Sequence, residues 1–262
     1  FSDGGRFDEV NAALAHAQAM LAAGADVIDV GGESTRPGAA LVAEDEERRR
    51  VLPVVEALAG AGIRCISVDT RRPAVAAAAL AAGASWVNDV GGLLAPGMAE
   101  VAATADAAVV MHQRQAAVAP VDEQAAFDAR EDKVRYDDVV AEVASFLDAR
   151  CDAFEAAGGA ADRLLVDPGI GFGKRVDDNL ALTRHLAAVR GRAAGVLYGA
   201  SRKRFIGVLL GGLSGAQDAA RRDPGSVGAA LFAAQAGADV VRVHDVPTTV
   251  GALRAFDALR QA

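Results

Sequence analysis

At 262 residues, with 52% hydrophobic and 24% charged side chains, the chain has ample material for a core, which excludes a disordered, fibrous or collagen-like protein. The formal net charge of -8 argues against a nucleic-acid surface or an anionic lipid surface, so any anion site must be built locally. Two cysteines, Cys65 and Cys151, cannot frame a disulfide scaffold and carry no zinc spacing, which suits a reducing cytoplasm.

The chain opens at Phe1 on the turn-like FSDGG, with no signal peptide, and the natural N-terminus is expected to be trimmed or left out. Four passages then share one plan, an Ala-rich helical stretch, a small turn and a β-branched run ending in a polar residue: HAQAMLAAGADVIDVGG, AVAAAALAAGASWVNDVGG, VAATADAAVVMH and ALFAAQAGADVVRVHD. Interleaved with them, IRCISVDT, RLLVDPG and GVLYGAS bring the predicted strands to seven. Between Gln113 and Asp162 the pattern predicts a loop and one long helix from about Tyr136 to Ala157. The longest uncharged stretch, Pro73 to Asn88, is too short for a membrane span.

Repeated βα alternation predicts an α/β fold with a parallel sheet covered by helices, and strands without in-out alternation suit a sheet buried on both faces. A doubly wound sheet and a closed barrel both satisfy this. Seven visible units plus a first strand missing before Phe1 would complete a (β/α)8 TIM barrel, and no linker divides residues 1–262, so one barrel domain is the expectation.

Nearly every predicted strand ends in residues able to ionise or hydrogen-bond: Asp29 with Glu33 to Arg36, Asp69, Asn88 with Asp89, His112, Asp167, Ser201 to Lys203, and Arg242 with His244. In a barrel these ends converge on one mouth, where active sites lie. Asp89 and Asp245 are read as caps or turns. Asp69, Asn88 and Asp167 close apolar runs, where a buried polar group needs a partner, and Lys203 and Arg242 suit an anionic ligand or a structural ion pair. For His112 a structural hydrogen bond and a ligand contact stay equally open. Phe172 is either core or a stacking face, and His16 and His185 are read as surface or packing residues. The run DPGIGFGK lacks the GxGxxG spacing, and no Walker sequence occurs, so a nucleotide cofactor is not expected.

Taken in order, FSDGG, DVGGESTRPG, SVDT, NDVGG, VVMHQR, DPGIGFGK, GASRKRFIG and RVHDV resemble the dihydropteroate synthase family across essentially the whole chain. The resemblance implies a (β/α) barrel, usually a homodimer, that condenses 6-hydroxymethyl-7,8-dihydropterin diphosphate with 4-aminobenzoate by a dissociative displacement. It implies pterin contacts from Asp69, Asn88, Met111, Asp167, Phe172, Gly199 and Lys203, with Asp167 accepting from the 2-amino and N3 edge. Arg242 and His244 would hold the diphosphate. Phe1, Thr35, Arg36, Pro37, Ser201 and Arg204 would form the pocket for aminobenzoate, the substrate that sulfonamides mimic. The residues assigned to catalysis on this basis are Asp69, Lys203, Arg242 and Asp3.

Mg2+ is the implied cofactor, but the family's Asn ligand, in an Asn-x-Thr-x-Asp-Ser run, belongs upstream of Phe1, so no metal ligand is assigned. Two further departures stand out: Arg204 where Ser often follows the SRK triplet, and Gln113 where MHM is common. Two rivals share the pterin pocket, a methyltetrahydrofolate:corrinoid methyltransferase and a non-catalytic pterin-binding paralogue. ESTRPG, SRKRFIG and RVHDV together favour the synthase over the first, and the unbroken set of polar strand ends favours it over the second.

Overall fold

The computed structural model describes residues 10–34, 40–113, 135–213, 215 and 218–261. The first half of the fold runs α1 (Val10–Ala22), β1 (Ile28–Gly31), α2 (Glu44–Gly60), β2 (Ile66–Asp69), α3 (Pro73–Ala81), β3 (Trp86–Asp89), α4 (Met98–Ala103) and β4 (Ala107–Met111). The second half runs α5 (Val139–Ala156), β5 (Leu164–Asp167), α6 (Val176–Arg184), α7 (Leu186–Arg190), β6 (Gly195–Tyr198), α8 (Arg204–Leu209), α9 (Asp223–Ala236), β7 (Val240–Val241) and α10 (Val246–Gln261). The predicted long helix is α5, which begins later than Tyr136 because Asp138 caps it, its carboxylate accepting from the Val140 and Ala141 N–H groups at 3.0 Å each. Four acidic residues, Glu44 to Glu47, fill the first turn of α2, where the helix dipole favours them. Among the described residues no helix is long and apolar enough to cross a membrane.

The seven strands pair in parallel in sequence order, β1 to β7, and the sheet curls as part of a barrel. A sheet of this kind is buried by helices outside and by its own side chains inside. Ala108, Val110, Leu164, Val166 and Val196 point outward into the main core with Val51, Val55, Leu147 and Leu182 of the helices. Ala107, Val109, Leu165 and Leu197, with Trp86 and Val240 packed on them, form a separate small cluster inside the curl.

Those two clusters fix the parity of every strand. Register pairs Asp29 with Ser67, Asp69 with Asn88, Asn88 with Val109, and Met111 with Asp167. With successive side chains alternating between faces, the inward set at the C-terminal ends is Asp29, Asp69, Asn88, Met111 and Asp167, continued by Gly199 and Arg242 just past β6 and β7. The expected lack of alternation holds for burial, since both faces are covered, but not for chemistry. Outward positions are aliphatic apart from Asp89 and Tyr198, and the last inward position is polar on most strands.

Candidate active site

Inward parity delivers the strand-end side chains to one mouth, and one arginine ties them together. Arg242 Nε donates to Asp29 Oδ2 at 2.6 Å, and its second nitrogen donates to Asp69 Oδ2 at 3.2 Å. Asn88 Nδ2 approaches the same Asp29 oxygen at 3.5 Å. The guanidinium thus spans from the end of β7 to the ends of β1 and β2, held strongly protonated by Asp29 first and then Asp69. Asp29 Oδ1 is buried with no hydrogen-bond partner, so this carboxylate keeps an accepting oxygen in the mouth. Burial first, and the neighbouring Asp29 charge second, push Asp69 up to about 7 against the pull of Arg242.

Asp167 is buried at the end of β5 and turns Oδ1 onto the Gly169 N–H at 2.7 Å. Burial raises its carboxyl above the usual range, opposed chiefly by Lys203, then by that N–H, Lys174 and Arg242. Gly169 has φ +67, and a Cβ there would run into the His112 carbonyl oxygen, so only glycine serves at this position. Gly199 has a different reason for lacking a side chain. A Cβ there would sit 3.9 Å from both Arg242 Cβ and Asp167 Oδ2, so the missing methyl leaves space between the two.

Lys203 lies along the opposite wall, its ammonium donating to the Ile170 carbonyl and standing 4.5 Å over the Phe172 ring. Phe172 is half-buried beneath that cation and belongs to neither core cluster. Ser201 and His244 form a pair, with Ser201 Oγ 2.9 Å from His244 Nδ1 and accepting from the His244 N–H at 3.2 Å. Arg202, between Ser201 and Lys203, holds φ +59, and its guanidinium forks onto Asp223 at 2.7 and 2.9 Å. That left-handed residue is what aims Ser201 and Lys203 in different directions. Arg204 is exposed at the first position of α8, and Met111 and Gln113 are buried at and just beyond the end of β4. Phe1, Asp3, Thr35, Arg36 and Pro37 lie outside the described residues.

Outward parity keeps Asp89 and His112 out of the mouth, and ion pairs take up Glu33. Asp89 accepts from the Gly91 and Leu93 N–H groups at 2.6 and 2.7 Å, a turn-forming role. His112 packs edge-on against Phe146, with ring centroids 4.9 Å apart, and its Nδ1 meets Lys174 Nζ at 2.9 Å. Glu33 is taken by Arg71 at 3.2 Å and Arg72 at 2.7 Å, and Arg72 also grips the buried Glu47 of α2 and donates to the Val42 carbonyl at 2.6 Å. Two residues of the mouth carried no role in the sequence reading. Asp29 was visible as a strand end, and the inward parity of IDVG singles it out. Lys174 stands out only in composition, as one of three lysines among 27 basic residues.

Among the described residues no group of three His, Cys, Asp or Glu side chains could cage a metal ion. What the mouth offers is a ring of acceptors from Asp29, Asp69, Asn88 and Asp167, cations from Lys203 and Arg242, and one aromatic wall. That set suits a flat, donor-rich heterocycle carrying an anionic group.

Comparison with known proteins agrees with this chemistry. Residues 1–244 match the family model described as pterin binding enzyme. The dihydropteroate synthase of Escherichia coli (strain K12) is 41% identical over 262 residues, covering 100% of this chain and 88% of that protein. The structure of Xanthomonas albilineans dihydropteroate synthase with 4-aminobenzoic acid superposes with a TM-score of 0.86 at 45% identity, over 100% of this chain and 89% of that one. The Burkholderia cenocepacia dihydropteroate synthase complexed with 7,8-dihydropteroate gives a TM-score of 0.84 at 43% identity, over 96% and 88%. Identity at this level over the full length of a shared barrel, with one continuous run of motifs, leaves a single assignment: the chain belongs to the dihydropteroate synthase family of pterin binding enzymes.

Proposed function

We propose that this chain condenses 6-hydroxymethyl-7,8-dihydropterin diphosphate with 4-aminobenzoate, releasing pyrophosphate and 7,8-dihydropteroate. The observation that carries the reading is the gathering of Asp69, Asn88, Asp167, Lys203 and Arg242 at one barrel mouth in a chain of this family. Residues 1–262 are proposed to act as one domain and to pair as a homodimer, which light scattering decides.

In this mechanism Asp167 accepts hydrogen bonds from the pterin 2-amino and N3 groups, Asn88 and Asp69 read other ring nitrogens, and Lys203 donates to the ring. Met111 and Phe172 wall the ring, and Gly199 leaves room for it. The bond from the methylene carbon to the diphosphate oxygen breaks, and pyrophosphate leaves with the electron pair. The cation left on the dihydropterin is offset by the Asp69 carboxylate. Arg242 and His244 hold the diphosphate. The amine lone pair of 4-aminobenzoate then forms the new C–N bond and the nitrogen sheds a proton to water. No protein nucleophile takes part, so positioning and electrostatics supply the rate.

Phe1, Thr35, Arg36, Pro37, Ser201 and Arg204 are proposed to face the aminobenzoate, and Asp3 to assist turnover. Sulfonamides are accordingly expected to compete with aminobenzoate. Magnesium is proposed to accompany the diphosphate. The described residues do not form a cage for it. The deciding assay supplies both substrates with and without magnesium and measures pyrophosphate and dihydropteroate together. Stoichiometric product is the expected result, and methyl transfer from methyltetrahydrofolate to a corrinoid without condensation would replace this reading.

Two results follow from the geometry of the mouth. A methyl at Gly199 meets only ordinary contacts at 3.9 to 4.0 Å, so Gly199→Ala is expected to keep stability within about 0.5 kcal/mol. Pterin binding is expected to weaken about tenfold, as one misplaced methyl group commonly costs. Calorimetry beside a melting curve separates the two, and full pterin affinity would remove Gly199 from the pocket wall.

The second result concerns pH. The ionised form of Asp69 is the working one, so kcat/KM for the pterin diphosphate is expected to rise as the pH passes about 7. Asp29→Asn removes a charge that raises Asp69 and leaves Arg242 to Asp69 alone, which moves the rise to lower pH. An unmoved profile would detach Asp69 from that limb. The sign for stability is the reverse, because the folded chain favours the neutral carboxyl. Its contribution is full below 3.8 and is lost as the pH rises through about 7.

A further inference from the structure

We propose that Lys174 is a positioning residue for pterin recognition: its buried ammonium clamps the 169–173 loop onto the end of β4 and so sets where Asp167 and Phe172 meet the ligand. The proposal rests on the pterin reading of the mouth.

The first observation is compositional. The chain has 27 Lys and Arg residues, and only Lys133, Lys174 and Lys203 are lysines. A chain that uses arginine almost everywhere for positive charge keeps lysine at two positions beside Asp167. A compact ammonium with three rotatable donors fits places where a planar guanidinium with five does not.

The second observation is the cage. Lys174 is 3% exposed, and its Nζ lies 3.0 Å from the Gly169 carbonyl, 3.2 Å from the Phe172 carbonyl and 2.9 Å from His112 Nδ1, with the His112 carbonyl at 3.4 Å. Among the described residues no carboxylate forms an ion pair with it, so the charge is buried against uncharged acceptors. Burial accordingly draws the amine down to about 7. Such an arrangement is a poor way to stabilise a fold, since an apolar side chain of the same length would occupy the space at lower cost. What the ammonium does accomplish is to join carbonyls from two separate segments.

The third observation connects the cage to the site. Gly169, Gly171 and Gly173 all hold positive φ, so the loop has little side chain with which to pack itself in place. Lys174 gathers two of its carbonyls and fastens them to His112, whose ring is wedged against Phe146. From the other side the buried Asn179 accepts from the Gly171 N–H at 2.7 Å and donates to the Lys174 carbonyl at 3.2 Å. The clamped loop supplies the Gly169 N–H that orients Asp167 and carries the Phe172 ring that stands under Lys203. A shift of this loop moves the carboxylate and the aromatic ring together.

The test replaces Lys174 with methionine, which keeps the length and removes the donors. Calorimetry with the pterin diphosphate in the absence of amine is expected to show binding weakened about 30-fold, the scale of hydrogen bonds to a charged group. The KM for 4-aminobenzoate at saturating pterin is expected to stay within about threefold, because that pocket does not depend on the clamp. Leu147→Ala, in the core of α5, serves as the control. It is expected to lower the melting temperature while leaving pterin affinity within about twofold, so that loss of stability alone is separated from loss of position.

Equal pterin affinity in wild type and Lys174→Met overturns the proposal, as does an equal loss in both variants. Wild type that fails to bind the pterin diphosphate overturns the reading of the mouth as well, and the two failures are distinct. Should Lys174→Met not fold, side-chain NMR of lysine-labelled wild type decides. Only three lysine signals exist, the Lys203 signal being identified in ligand-free Lys203→Arg. The buried Lys174 signal is expected to shift when pterin saturates the site, and a signal that stays in place overturns the proposal.

Discussion

Asp167→Ala is expected to weaken pterin binding by about a thousandfold, measured by calorimetry with the pterin diphosphate and no amine. The arithmetic rests on two hydrogen bonds to one carboxylate, each worth about 2 kcal/mol when the acceptor is charged, and about 1.4 kcal/mol per factor of ten. Removing the carboxylate also leaves the donor edge of the ligand facing a dry wall. Burial already holds the Asp167 carboxyl above its usual range, so the fold gives up little with it and the loss is one of affinity. Asp167→Asn is the sharper version, because it keeps the size of the side chain and turns one acceptor into a donor. Unchanged affinity in the alanine variant would take Asp167 out of pterin recognition. Near-normal affinity in the asparagine variant would show that shape, not acceptance, is what the ligand needs there.

Arg242→Ala is expected to lower affinity for the pterin diphosphate about a hundredfold and for the matching pterin alcohol distinctly less, since charge-assisted contacts to the diphosphate are lost. The alcohol does not escape entirely, because the guanidinium also neutralises Asp29 and Asp69, at 2.6 and 3.2 Å. Without it those two carboxylates repel, and Asp69 becomes harder to ionise. Asp29→Asn placed in the Arg242→Ala background should therefore restore the alcohol's affinity but not the diphosphate's. Equal losses for both ligands, uncorrected by the second substitution, would contradict a diphosphate role for Arg242. The cost to stability is expected to be small, about 1 kcal/mol, since the Arg242 side chain is 45% exposed and solvent screens the pairs.

Much of this architecture was legible because the strands are short and end abruptly. SVDT, NDVGG and VDPG each place a polar residue straight after an apolar run, and the seven runs became the seven strands. Which polar residue of a pair faces inward was harder to read. Asn88 and Asp89 are adjacent and equally polar; Asp89 reads as a cap or turn, and the register against Val109 and Val110 gives the two residues opposite faces. Asp29 was visible as a strand end but drew no role, because its contact with Arg242 joins strands at opposite ends of the sheet order. Lys174 was hidden because all its partners but the His112 ring are main-chain carbonyls, which no side-chain pattern records. Arg242 read as an anion holder, and its pairing with Asp29 depends on curvature that brings the first and last strands of the sheet together.

That last pairing joins residues 213 positions apart. Contacts at such separation carry a large loop-closure entropy and form late, after local βα units have assembled. The ring of acceptors and cations at the mouth therefore lacks Arg242 in any chain whose C-terminal segment has not yet docked, however well its earlier units are folded. A ligand that needs the whole ring binds only the closed chain, and by mass action it stabilises that closure over partly assembled forms. Substrate availability thereby becomes a term in how long the finished barrel persists, as well as in how fast it turns over.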